Sequence, residues 1–186
     1  MNNMYRPYPC PFYVNKTMYQ PNNMYPWPYW PHPQMHHPNY FNQCYPSNNG
    51  YIPLRDYGPE PFVVNIEEAA KQNNNFRLAL WTGSHLQLTL MSINVGEDIG
   101  LEMHPNLDQF IRIEQGQGLV RMGDRRDRLD FERRVYDDYI FIIPAGKWHN
   151  LINTGNVPIK LYSIYAPPQH PRGTVHKTKA DAEAAE

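Results

Sequence analysis

Residues 96–116 read GEDIGLEMHPNLDQFIRIEQG, and residues 138–153 read DYIFIIPAGKWHNLIN. In both, a short run rich in apolar and β-branched residues is broken by a Pro-containing turn and then resumes. That is the pattern of two half-buried strands joined tightly. Residues two apart on a strand share a face, so Glu102 and His104 project together. Gln109, reached after the Pro105–Asp108 connection, can return to that same interior, and His149 shares its face with Leu151 on a later strand. Two imidazoles, one carboxylate and a carboxamide oxygen form a donor set suited to a divalent transition metal. The nitrogens are neutral borderline ligands, one anion offsets charge, and positions remain for water or substrate.

Working outward, the same texture covers residues 76–165. FRLALW (76–81), HLQLTLMSIN (85–94), IGLEMH (99–104), QFIRIE (109–114), GLVRM (118–122), YIFII (139–143), WHNLIN (148–153) and PIKLYSIY (158–165) are short and separated by turn signals. Eight strands spaced about ten residues apart predict an all-β antiparallel sandwich or barrel. No long helical segments alternate with them, which excludes a βαβ architecture. Ahead of the strands, Asn65 and Glu68 mark the start of one short helix that ends before Asn73 to Asn75. His85, Gln87 and Thr89 share a strand face and are candidates to line the pocket, His85 as a catalytic base. Within 121–138, acidic and basic residues interleave, the mark of a solvated loop or exposed hairpin. No inward-facing Lys or Arg is evident, and with Gln109 inside, Arg112 faces out.

The front of the chain differs. Residues 1–58 hold 11 of the 19 Pro, 10 of the 14 Tyr and 9 Asn, but only four charged side chains. Such a stretch predicts a disordered tail of extended and turn conformations, followed by a folded domain over 59–186. Both cysteines, Cys10 and Cys44, fall in the tail and are expected as thiols rather than a disulfide framework. A formal charge of −1 argues against nucleic acid as partner. The absence of a long apolar run or signal-like start predicts a cytoplasmic protein without membrane partners.

The spacings of the two motifs carry a family resemblance. Gly96, Glu102, His104, Gln109 and Gly116 keep the first cupin motif's spacing of Gly, His-x-His, Glu and Gly. Asp138, Pro144, Gly146, His149 and Asn153 keep that of the second. Three residues depart: Glu102 stands for a His, Gln109 for a Glu, and Asp138 for a Gly. The first two compensate in charge, leaving one formal negative among the four ligand candidates. The resemblance spans about 76–166 and implies a double-stranded β-helix, a jelly-roll barrel. It also implies a metal (Mn, Fe, Ni or Zn) inside the mouth on Glu102, His104, Gln109 and His149, and a homodimer.

The ending from Ala166, APPQHPRGTVHKTKADAEAAE, resembles the tails of small mannose-6-phosphate-isomerase-like cupins. That likeness implies a small, carbohydrate-like ligand and an isomerase. A two-His, one-carboxylate Fe(II) oxygenase is the other catalytic reading. The tail's composition resembles that of spore-coat proteins, which implies a non-catalytic alternative: a cupin deposited in a coat through coat-protein partners of residues 1–58.

Overall fold

The computed structural model describes residues 50–185, and the expectations for Cys10, Cys44 and most of the aromatic stretch lie outside them. The chain order is α1 (Ile66–Gln72), β1 (Arg77–Thr82), β2 (Gln87–Ile93), β3 (Glu102–Met103), β4 (Asp108–Gln115) and β5 (Gly118–Gly123). It continues with β6 (Phe131–Val135), β7 (Ile140–Ile143), β8 (Trp148–Asn153), β9 (Ile159–Ala166), β10 (Val175–His176) and α2 (Lys179–Glu183). Two antiparallel sheets form, with strand orders β10-β1-β2-β9-β4-β7 and β3-β8-β5-β6. This is the expected all-β architecture. The charged stretch is an exposed hairpin, β5–β6, whose outer strand carries Phe131 to Arg134 in solvent.

Alternation sorts each strand's residues between two cores. Met91, Ile93, Ile111, Ile113, Val120, Leu151 and Leu161 fill the space between the sheets. Leu78, Leu80 and Leu90 point the other way, onto a second cluster with Ala69 and Ala70 of α1. Burying a side chain of this kind contributes roughly 1.5–3 kcal/mol, and the first cluster gives the barrel a core independent of its polar end. α1 starts where expected, with Asn65 Oδ1 accepting from the Glu68 amide at 3.3 Å.

The packed chain begins earlier than the composition shift at Gly58. Ile52, Leu54 and Tyr57 lie against the second cluster, and the Tyr57 amide donates to the Leu80 carbonyl at 2.8 Å. Asp56 accepts from the amides of Gly58, Thr82 and Gly173. Gly58 is so close to the strand that an added Cβ would lie 2.0 Å from the Thr82 carbonyl oxygen. Composition hid this because four apolar side chains, Ile52, Leu54, Tyr57 and Phe62, suffice to dock an irregular segment without any periodic pattern.

At the other end, β10 and α2 were not evident in sequence. Thr178 and Asp181 close a capping box, Ala182 enters the main core, and Lys179 Nζ pairs with Asp98 at 2.6 Å.

Candidate metal centre

Strand register builds a polar belt across one end of the barrel. On the larger sheet, Gln87 lies opposite Tyr165 and Tyr165 opposite Gln109. On the smaller one, Glu102 lies opposite His149. Residues directly opposite on antiparallel strands share a face, so these groups all line the interior, above the apolar layer of Met91, Ile111 and Leu161.

Glu102, His104 and His149 meet there, with one donor atom from each lying within 4.8 Å of the others. Glu102 Oε1 is 3.2 Å from His149 Nε2 and 3.5 Å from His104 Nε2. His149 is 1% exposed. Its Nδ1 sits 3.0 Å from the Lys147 carbonyl oxygen, which only accepts, so Nδ1 carries a proton. In the neutral ring Nε2 then presents a lone pair to a carboxylate oxygen. Two lone pairs at this distance require a proton or a cation between them, and a metal ion meets that need with the ring already oriented. His104 Nε2 is buried without a hydrogen bond, a second indication that the donor set fits an ion. Burial pushes the Glu102 carboxyl up, but hydrogen bonding and charge from His104 and His149, when their rings carry a proton toward it, outweigh burial and hold the group well below the usual carboxylate range.

The turn of the second motif positions this set. The Pro144–Lys147 turn closes through Lys147 N–H to the Pro144 carbonyl at 3.2 Å, with Gly146 at φ +80°. Asp138, the residue standing for a glycine, adopts φ +67°. Asp is among the few non-glycine residues that tolerate this region, so the departure keeps the backbone conformation.

Gln109 is 1% exposed and faces the interior as expected. Its Nε2 donates to Ser163 Oγ at 3.0 Å, and its Oε1 is buried without a hydrogen bond. The carboxamide thus keeps an oxygen for use. His85 departs from its expected strand position: it lies exposed in the turn between β1 and β2, which starts only at Gln87, and it does not line the pocket formed with Glu102 and His104. Gln87 and Thr89 are buried inside.

Three further residues line the site from outside the two motifs. Arg77 overturns the expectation of no inward cation: it is 1% exposed, and its Nη2 lies 3.8 Å from Glu102 Oε2. An arginine at an alternating position of the apolar run FRLALW was the available signal. Tyr165 sets its ring edge-on to His104 at 5.7 Å and to His170 at 5.1 Å. His170 is tied to Gln87 by two bonds: its amide donates to Gln87 Oε1 at 3.0 Å, and Gln87 Nε2 donates to its carbonyl at 2.9 Å. It lines a pocket of about 360 Å3 with Glu102, Met103 and His104. Burial and then Arg77 push its imidazole down to about 3, so the ring is neutral at physiological pH.

Residues 89–165 match the family model described as a cupin domain. An uncharacterized Bacillus subtilis protein, YrkC, is 71% identical over 133 residues, covering 72% of each chain. This chain is a cupin. A second relative, an uncharacterized protein of Acanthamoeba polyphaga mimivirus, is 40% identical over 61% of this cupin and 70% of its own length. The crystal structure of a Bacillus halodurans protein superposes with a TM-score of 0.70 at 69% identity, covering 70% of this chain and 99% of that one. Among the described residues, no helix of the cupin is long and apolar enough to cross a membrane.

Proposed function

We propose that this cupin holds one divalent transition-metal ion on Glu102, His104 and His149 and acts through it on a small polar, carbohydrate-like molecule. The observation that carries the reading is the convergence of Glu102 Oε1 and two imidazole nitrogens at the mouth of a small pocket. A bound ion supplies Lewis acidity and a template for a carbonyl or hydroxyl oxygen.

The chain's own groups do the rest. Lys147 fixes the His149 tautomer through its carbonyl, and Tyr165 packs against both His104 and His170. His170, neutral and with Nε2 free of hydrogen bonds, offers a donor or an acceptor to a ligand hydroxyl in the pocket. A base depressed to about 3 abstracts a proton from carbon poorly at neutral pH. The isomerase reading therefore leans on polarisation more than on a strong base. A two-His, one-carboxylate face is equally the donor set of non-haem iron oxygenases, and metal identity separates the two chemistries.

A second reading rests on the composition of residues 1–58, in which Tyr, Pro and Asn dominate and charge is sparse. It has the tail place the cupin, as a homodimer, in a spore-coat layer, with the barrel as enzyme or as building block.

The test is metal analysis of the full chain beside His104→Ala and His149→Ala. The expected result is close to one Mn, Fe, Ni or Zn per chain, lost in both variants while circular dichroism stays unchanged. A wild-type chain that takes up no metal after reconstitution would leave a ligand-binding or structural cupin instead.

A further inference from the structure

We propose that Arg77 is a positioning residue that makes Glu102 a one-oxygen ligand, a role that rests on the metal-binding reading above. The two carboxylate oxygens face different groups. Oε1 lies 3.2 Å from His149 Nε2 and 3.5 Å from His104 Nε2, whereas Oε2 lies 3.8 Å from Arg77 Nη2. The terminal torsion of a glutamate is broad, and a carboxylate beside a divalent ion offers either one oxygen or both. A guanidinium on the far side biases that choice by drawing one oxygen away from the ion, and it does so strongly where burial lowers the dielectric.

Arg77 is well placed to hold this bias. It sits on β1, flanked by β2 and β10, opposite Met91 on one side and His176 on the other. Its guanidinium lies 5.7 Å from the Phe76 ring. The backbone of Arg77 lies in the row of Met91, Leu161 and Ile113, below the belt that carries Gln87, Tyr165 and Gln109. The side chain therefore reaches the carboxylate from the core side and not from the pocket side. At 3.8 Å the contact is a Coulombic pair rather than a hydrogen-bonded fork. It faces Oε2 without occupying Oε1. The consequence is an open coordination sphere: one oxygen and two nitrogens leave the pocket side available to a ligand, which a chelating Glu102 would partly fill.

The test uses the full chain loaded with Co(II), whose visible absorption weakens as coordination number rises, and azide as a probe of open positions. In Arg77→Met, cobalt should still bind, its absorption should weaken, and azide affinity should fall about tenfold, the lower end of effects seen when groups supporting metal ligands are removed. Arg77→Lys should recover most of the loss, because a buried cation is restored. The decisive comparison is the Glu102→Gln background, where the amide has a single oxygen: there Arg77→Met should change azide affinity by less than about twofold. An equal loss in both backgrounds would mean that Arg77 acts on the anion through its charge alone, and an unchanged spectrum would mean that it does not act on Glu102; either overturns the proposal. If Arg77→Met does not fold, Arg77→Gln carries the same predictions. A wild-type chain that takes up no cobalt overturns the metal reading itself.

Discussion

The backbone amide of Gly146 donates to the carbonyl of His104 at 2.8 Å, which joins the turn before His149 directly to a candidate ligand just past β3. The neighbouring Ala145 amide donates to Asp108 Oδ1 at 2.9 Å, so the two turns grip each other. The second motif thus shapes the site before any of its side chains enters it.

Replacing Gly146 tests this grip. Its φ of +80° is strained for any residue with a Cβ, although nothing lies within 4 Å of the added atom. Gly146→Ala should therefore cost about 1 kcal/mol in urea denaturation, with no steric penalty. The same variant should weaken metal binding, measured by titration with a chelator, because both ligand-bearing turns shift.

Gln109→Glu should tighten metal binding by at least about tenfold, since a carboxylate adds charge where a carboxamide oxygen lies buried without a hydrogen bond. Competition titration measures this directly. No gain would place Gln109 in a structural role, held by Ser163.

The neutral state of His170 has a pH signature. Its folded value of about 3 lies below the 6.5 of an ordinary imidazole, so between those values the unfolded chain binds more protons than the folded one. Stability from this group is complete above about pH 6.5 and is lost as pH falls toward 3. Metal-free wild type should lose more stability between pH 7.5 and 4.5 than His170→Gln does, by urea denaturation at each pH. Parallel losses would show that the imidazole is solvated.

A chain starting at Pro59 should be less stable than one starting at Gly50. It lacks Ile52, Leu54 and Tyr57 from the second cluster and the three amide bonds of Asp56. Each partly buried apolar side chain contributes roughly 1 kcal/mol or more. The difference should lower the thermal midpoint by several degrees for a domain of this size. Equal midpoints would mean that the segment merely rests on the sheet.

Much of the architecture could be read from local pattern, because strand alternation and turn chemistry are properties of neighbours in sequence. The eight strand segments, the cap at Asn65, and Glu102, His104 and His149 on a common interior all follow from period-two geometry and motif spacing. Where strands begin was less secure. His85 lost its place because the strand starts two residues later, at Gln87, and everything before it belongs to the turn.

What only the tertiary structure decided involves residues far apart in sequence. That Arg77 turns inward to face Glu102, that His170 is locked to Gln87, and that Ile52 to Tyr57 pack on Leu78 and Leu80 depend on register between strands and on which surfaces remain to be covered. Sequence determined the donor types and their spacing, since a strand's period dictates which side chains share a face. Folding determined their environment, because burial, partner distances and the division of Glu102's two oxygens exist only once β1, β3 and β8 enclose the same space.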